Sequence, residues 1–250
     1  MTLVASTRMY NVAPDATAAW RRLLEWVGRE SGVPLEIVDH PHPATLDRLW
    51  QRPDLGCAFM CGWPLAKEGG TRPILAAPVP GGAGGARYRS VFVVGAAAGF
   101  ETLEHTFGHR FAFNARGSHS GWNMPMAHVV RLGGRFSAEI GPFGPHQRAA
   151  AAVAAGEADV AALDSLVWAL LCRHAPDLAG ALCVVGRTPD QPSPPLVGSE
   201  RMRAADVAAL RAALLAMEGD AAGQALLADV CLAGFRVARL QDYDETLAVS

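Results

Sequence analysis

The sequence predicts an α/β protein made of two lobes, each folded around a doubly wound mixed sheet. Strand-like and helix-like segments alternate along most of the chain, and two stretches rich in glycine or proline interrupt the alternation. The middle of the chain lies between these two breaks, so we expect it to form an inserted lobe. Small ligands of such proteins bind in the cleft between the lobes, which is therefore the expected position of a site.

The N-terminal part begins with a strand and a well-marked helix. Leu3–Ser6 reads as the strand, and the apolar residues from Ala16 to Val27 repeat at helical spacing behind Pro14, which suits the first turn of a helix. The segments that follow are a strand at 35–38, a short helix at 46–50, a strand at 57–60 and a strand at 74–79. This alternation predicts parallel strands joined by right-handed crossovers.

Two composition breaks divide the chain. Residues 80–85 contain four glycines, and residues 189–195 contain four prolines. Between them we predict strands at 90–94, 111–113, 160–163 and 182–185, with helices at 124–132, 147–155 and 166–173. After the second break only helices are predicted, at 204–217 and 220–232. The predicted lobes are therefore 1–86 with 188–250, and 87–187, with hinges near 80–87 and 186–195.

Composition excludes several classes of function. The 250 residues carry a net charge of −2 without a basic stripe, so no nucleic-acid partner is expected. No run of eighteen apolar residues occurs, so no membrane insertion is expected. The five cysteines lack a disulfide or zinc spacing and are predicted to be buried free thiols, and no cofactor or metal is expected.

The N-terminus shows no leader. The first strand begins almost at once, without a basic segment or a long apolar segment before it. We therefore expect either a cytoplasmic protein or a periplasmic protein whose signal peptide has been removed.

A glycine- and serine-rich turn is the first candidate site. The strand at 111–113 leads through Arg116 into Gly117-Ser118-His119-Ser120-Gly121 and then into a helix. The start of a helix presents amide N–H groups without intrahelical partners, and the helix dipole favours an anion there. Ordinary capping of the helix by a serine is the alternative.

The order and spacing of several segments resemble the phosphonate/phosphate-type substrate-binding proteins of ABC transporters. The segments that carry the resemblance are Tyr88–Val94, Arg110–Asn114 with Gly117–Gly121, Asp54–Leu65, Ala149–Val160 and Ala162–Ser165. Together they span about residues 2–200. The resemblance implies a periplasmic-binding-protein fold of type II, and it implies a permease in the membrane as partner.

The resemblance also implies which residues hold the ligand. Ser118, His119 and Ser120 take the place of the family's Ser-X-Ser helix start, which holds the phosphonate or phosphate oxygens. His119 departs from the small hydroxyl residue common at the middle position. If protonated it would strengthen anion binding, and if neutral it would narrow the pocket.

Further candidates come from other segments. Tyr10 lies where the family has an aromatic residue after the first strand, with a half-buried loop aromatic as the alternative, and Tyr88 begins a matching segment. Trp63 and Trp122 are each expected either to line the ligand cleft or to pack in the core.

An acid and a histidine complete the candidates. Asp164 occupies the position of the family's acidic residue, where it would favour a ligand with a proton or a cationic group to donate. Capping of the following helix is the alternative role for Asp164. His146, just before a predicted helix, is expected to be a solvated loop residue.

These observations favour a binding protein over an enzyme. Ser118 and His119 are adjacent and diverge in direction, so they do not form a nucleophile–base pair, and no nucleophile elbow occurs on a suitable strand. We expect capture of a small oxyanion by closure of the lobes for ABC-type uptake. The alternatives are a cytosolic ligand sensor, or a protein that binds a sulfonate or a pyrimidine-type metabolite on the same fold.

Overall fold

The computed structural model describes residues 2–248, which form two α/β units. Unit 1 comprises the described residues up to Arg87 and Pro192–Asp244, and unit 2 comprises Tyr88–Gln191 and the described residues from Glu245 onward. The predicted boundaries follow residues 86 and 187, whereas the observed ones follow residues 87 and 191. The residues after Asp244 were predicted to belong to the first lobe with the rest of the C-terminal segment.

The first segment of unit 1 and the middle of the chain both alternate between strands and helices. The first segment contains β1 (Leu3–Ser6), α1 (Pro14–Ser31), β2 (Leu35–Ile37), α2 (Leu46–Trp50), β3 (Leu55–Phe59), α3 (Gly62–Glu68) and β4 (Ile74–Pro80). The middle contains β5 (Arg87–Tyr88), β6 (Ser90–Gly95), β7 (Arg110–Ala112), α4 (Met124–Arg131), β8 (Ala138–Ile140), α5 (His146–Ala154), β9 (Val160–Asp164), α6 (Ser165–His174), α7 (Pro176–Gly180), β10 (Leu182–Arg187) and β11 (Gln191–Pro192).

The C-terminal segment contains two strands that the sequence pattern missed, β12 (Leu196–Val197) and β13 (Leu232–Arg236). Its α-helices are α8 (Ala204–Ala216), α9 (Ala221–Asp229) and α10 (Asp244–Leu247). The prediction of a helix up to Leu232 is wrong, because α9 ends at Asp229 and Cys231 turns the chain at a φ of 59°. Few β-branched residues mark β13, and its partner strand β4 is far away in the sequence.

The sheet of unit 1 has the order β13-β4-β12-β3-β1-β2. β1 pairs in parallel with β2 and with β3, as the alternation predicts. The expectation of parallel pairing is wrong for β4, because both of its neighbours, β12 and β13, run antiparallel to it. The returning chain inserts β12 between β3 and β4, and a pairing of this kind leaves no trace in the local sequence pattern.

Aromatic residues dominate the core of unit 1. Tyr10, Trp20 and Phe59 are buried and contact one another, with ring centroids 4.7–5.8 Å apart. Helix α1 supplies Trp20 from its apolar face, and Gly32 ends this helix in the left-handed conformation at a φ of 66°. The apolar spacing of α1 therefore decides which face the helix buries on the sheet.

The sheet of unit 2 has the order β10-β6-β9-β7-β8. β7 pairs in parallel with β8 and β9, while β6 runs antiparallel to β9 and β10. In the β6–β9 register, Ser90 lies opposite Asp164. The core of this unit includes Phe92, Phe111 and Val160, so both faces of the central strands are apolar except at the end that carries Ser90 and Asp164.

Two further sequence expectations concern cysteines and membranes. None of the five cysteines forms a disulfide, and Cys57 and Cys61 are buried as expected, whereas Cys172 is exposed. Burial raises the pKa of the Cys57 thiol to about 12, so this thiol stays protonated. Among residues 2–248, no helix combines the length and the apolarity that a membrane span requires.

A glycine in β3 tests the packing of the unit 1 sheet. A Cβ on Gly56 would lie 2.6 Å from the Cβ of Leu3 on the neighbouring strand, so Gly56→Ala must displace one strand. We expect urea unfolding to show a loss of about 1–3 kcal/mol. Gly84→Ala is the matched control, because a Cβ at Gly84 meets no atom within 4 Å. Equal stability of the two variants would contradict the close approach of β1 and β3.

Candidate ligand-binding site

The glycine- and serine-rich turn connects a strand to a helix, as the sequence predicts. After β7 the chain runs through a loop into a π-helical segment, His119–Asn123, which continues directly into α4. Ser118 precedes this segment with an extended backbone, and its Oγ accepts a hydrogen bond from the N–H of Gly121 at 3.0 Å. The N–H of Asn123 donates to the Ser118 carbonyl, which gives the wide turn of a π-helix.

This geometry suits an anion. The first amides of a helix lack partners within the helix, and Ser118 satisfies only that of Gly121. The amides of His119 and Ser120 come before the first helical hydrogen bonds. The Ser118 hydroxyl keeps its proton as a donor while its oxygen caps the helix.

Ser120 is held on two sides. The Ser90 hydroxyl donates to the carbonyl oxygen of Ser120 at 2.7 Å, and Ser120 Oγ shares a hydrogen bond of 3.1 Å with His146 Nε2. Because Ser90 lies opposite Asp164 in the sheet, Ser120 and Asp164 come together through Ser90. Sequence reasoning missed Ser90; its only signal is a polar residue at the start of an apolar strand.

The expectation that His146 is a solvated loop residue is wrong. His146 is the first residue of α5, and its Nδ1 is buried. A Cβ on Gly121 would lie 3.0 Å from His146 Cε1, so the ring packs directly against the turn. Burial lowers the pKa of His146 to about 4, and the nearby Ala162 carbonyl opposes the shift. The ring is therefore neutral near pH 7.

His119 is also neutral. Its side chain is 0% exposed, and burial lowers its pKa to about 4 despite the opposing effects of Gln191 and Glu245. Of the two roles expected from sequence, the one that needs a protonated ring does not apply near neutral pH. His119, which lies between the two serines in the sequence, is therefore uncharged near neutral pH.

Arg116 and Trp122 have other partners. Arg116 forms an ion pair with Glu139 at 2.6 Å, and its guanidinium lies 3.9 Å from the ring centroid of Trp122. Trp122 in turn packs edge-on against Phe113, at 4.9 Å between centroids, at the border of the unit 2 core. The structure thus shows the core role that the sequence left open for Trp122.

Asp164 caps the helix that follows it. Its Oδ1 accepts a hydrogen bond of 2.8 Å from the N–H of Leu166, and the residue is almost fully buried. The capping role predicted as the alternative is therefore present, while a contact of Asp164 with a ligand stays a prediction. Tyr88, in β5, is likewise buried and belongs to the same unit as the turn.

The other two predicted residues lie in unit 1. Tyr10 is 1% exposed and packs on Phe59, so it contributes to the core of that unit. Trp63, on α3, is half-buried, and Lys67 Nζ lies 4.8 Å from its ring centroid. Five predicted residues thus belong to unit 2 and two to unit 1. In the described part of the chain, no group of three or more His, Cys, Asp or Glu residues is placed to hold a metal.

Solved structures with the same fold include proteins that bind phosphonates. A binding-protein component of an ABC phosphonate transporter from Pseudomonas aeruginosa is 19% identical, with a TM-score of 0.80, over 98% of this chain and 83% of that chain. A methylphosphonate-bound protein from Prochlorococcus marinus is 17% identical, with a TM-score of 0.82, over 99% and 96%. A Rhodopseudomonas palustris protein with bound malate is 15% identical, with a TM-score of 0.68, over 99% and 96%. No curated protein sequence matches the chain.

The sequence also matches a family model over residues 10–243, and that family is described as the periplasmic substrate-binding proteins of phosphonate ABC transporters. The match spans both units. With the structural neighbours, it confirms the predicted α/β fold of the type II periplasmic binding proteins. The chain belongs to the family of periplasmic substrate-binding proteins of phosphonate ABC transporters.

Proposed function

We propose that this protein captures a small phosphate- or phosphonate-like oxyanion for ABC-type uptake and catalyses no reaction. The observation that carries the proposal is the turn at Ser118–Ser120, where helix-start amides and two serine hydroxyls lie together. The family and the methylphosphonate-bound neighbour support this class of ligand.

Hydrogen bonds, rather than positive side chains, would hold the anion at this turn. Both histidines of the turn region, His119 and His146, are neutral near pH 7, and Arg116 is paired with Glu139. Amide and hydroxyl donors that are already fixed in a buried place bind an anion without the cost of reorganising solvent. Such a site depends strongly on the positions of its donors.

The contacts of Ser120 and His146 do not favour catalysis. A serine hydroxyl 3.1 Å from an imidazole has the spacing of a nucleophile and its base. His146 Nδ1, however, has no side-chain acceptor within residues 2–248 that would orient the ring and stabilise its protonated form. A pKa of about 4 also makes His146 a weak base near pH 7. The pair therefore fits a role in fixing the Ser120 hydroxyl.

Asp164 would add selectivity for the ligand's charge state. A buried carboxylate close to an anion is favourable only when the ligand donates a proton or carries a cationic group. We propose that Asp164, connected to Ser120 through Ser90, favours a protonated phosphonate or an aminophosphonate over sulfate. Tyr10, Trp63 and Tyr88 are proposed as further ligand contacts.

The proposed cellular role is delivery of the ligand to an ABC permease from the periplasm. The alternatives are a cytosolic ligand sensor, or a protein that binds a sulfonate or a pyrimidine-type metabolite on the same fold. The neighbour with bound malate supports a test across several ligand classes. Thermal-shift measurements with phosphate, methylphosphonate, a sulfonate, malate and a pyrimidine would decide between these classes.

Removal of both turn hydroxyls tests the proposed site. We expect Ser118→Ala with Ser120→Ala to weaken methylphosphonate binding in calorimetry by about 2–5 kcal/mol, since hydrogen bonds to a charged group contribute roughly 1.5–3 kcal/mol each. Ser137→Ala, at an exposed position of the same unit, is the control. If the double variant is folded and binds as tightly as the natural sequence, the site is wrong.

The neutral histidines predict a pH-dependent stability. The folded-state pKa of His146 is lowered from 6.5 to about 4, so unfolded chains bind more protons in this interval. The free energy of unfolding should be constant above about pH 7 and decrease as the pH falls from about 6.5 to about 4. His146→Gln should remove about 2 kcal/mol of the decrease between about pH 7 and about pH 5.

Denaturant unfolding at both pH values measures this effect. The control variant is His105→Gln, because His105 is exposed in the same unit. An unchanged pH dependence in His146→Gln would show that His146 is not buried as a neutral ring.

Closure of the two units around the ligand is a separate proposal. The chain crosses between units at Arg87–Tyr88 and Gln191–Pro192, and these residues pair as β5 and β11. We propose these crossings as the hinge. Saturating methylphosphonate should then reduce the radius of gyration in solution scattering. A radius unchanged by a ligand that calorimetry shows to be bound would count against closure.

A further inference from the structure

We propose that His119, together with Gln191, is a specificity-determining pair that selects an anion with a protonated oxygen over a fully deprotonated anion. The inference rests on the proposed anion site at Ser118 and Ser120. It goes further because it assigns a hydrogen-bond acceptor for the ligand's proton other than Asp164, at the middle residue of the turn.

The observation behind it is a set of buried polar atoms. His119 is fully buried, and neither of its ring nitrogens has a hydrogen bond of normal geometry within residues 2–248. The same holds for Oε1 of Gln191, which is also buried and belongs to the same unit. Leaving such atoms without partners is unfavourable, and the Gln191 oxygen serves at most one of the two ring nitrogens, so a group from outside the chain is expected to complete the hydrogen bond of the other nitrogen.

Gln191 determines which end of the ring carries the proton. Its Nε2 donates to the Asp190 carbonyl at 3.2 Å, which leaves Oε1 as the end of the amide directed elsewhere. Gln191 faces the imidazole closely enough to raise the pKa of His119 against the effect of burial. An amide oxygen has this effect when it accepts the ring N–H, so the N–H is directed to Gln191.

A neutral imidazole has a single N–H, so the second nitrogen of His119 carries a lone pair. A lone pair repels the oxygen of a dianion and accepts a hydrogen bond from a P–OH group. His119 is the residue between Ser118 and Ser120, so this acceptor belongs to the same turn as the anion donors. A sulfate ion, which has no proton near neutral pH, would leave the nitrogen without a partner.

Other titratable groups act in this part of unit 2, and their effects on ligand binding must be distinguished from the effect of the His119 ring. Glu245 acts on His119 electrostatically and raises its pKa. His146 shares a hydrogen bond with Ser120, and Asp164 is connected to the turn through Ser90. Because burial keeps the pKa of both His119 and His146 near 4, neither ring changes charge above about pH 6. Above about pH 6, a pH dependence of binding that requires His119 then reflects the loss of a proton by the ligand.

Calorimetry with methylphosphonate at about pH 6 and about pH 9, and with sulfate at about pH 6, tests the pair. Methylphosphonate loses its second proton between these values, whereas sulfate stays a dianion. For the natural sequence we expect methylphosphonate to bind about ten- to a hundredfold more weakly at the higher pH, as the loss of one buried hydrogen bond implies. His119→Phe should flatten this dependence and narrow the preference over sulfate, and His119→Gln should restore both in part.

Three further variants complete the design. Asp164→Asn and Glu245→Gln measure the contributions of the two carboxylates, and His105→Phe is the control at an exposed position. If His119→Phe is folded and keeps the full pH dependence while Asp164→Asn or Glu245→Gln abolishes it, the inference is overturned and the proposed anion site stands. If the natural sequence binds neither methylphosphonate, phosphate nor sulfate at either pH, the proposed function fails, and the inference fails with it.

Discussion

A single hydrogen bond ties the anion turn to the sheet of unit 2. The Ser90 hydroxyl, at the first residue of the central strand β6, donates to the Ser120 carbonyl at 2.7 Å. Ser90 is completely buried, so the loss of this bond would leave a carbonyl without a partner in an apolar environment. Ser120 also contacts His146 through its Oγ, and Ser90 lies opposite Asp164 in the sheet, so this bond connects the turn with the strand pair that carries Asp164.

The second constraint is that His119, His146 and Arg116 provide no unpaired positive charge at the turn. Burial holds His119 and His146 neutral, and the guanidinium of Arg116 contacts Glu139 and two aromatic rings. Under the proposed function, attraction for an anion then comes from oriented amides and hydroxyls, whose positions the π-helical turn determines. Gly121 is essential to that turn, since a Cβ there would meet Asn114 Oδ1 at 1.9 Å.

The family and the fold agree with one another, while the ligand of this chain is a separate question. Several structural neighbours share the fold at 12–21% identity and have different bound molecules, among them methylphosphonate, malate and adipate. The fold therefore does not decide the ligand. Under the proposed function, that decision depends on the side chains at the turn, among them His119.

The sequence by itself determined the alternation of strands and helices, the glycine- and serine-rich turn before α4 and the resemblance to the phosphonate-binding family, because periodicity, turn residues and motif order are local properties. Only the tertiary structure decided what depends on residues distant in the chain. It placed β12 between β3 and β4, added β13 to the edge of the unit 1 sheet, and buried His146 against Ser120. It also decided that His119 is uncharged, because desolvation depends on the atoms packed around a side chain and not on its sequence neighbours.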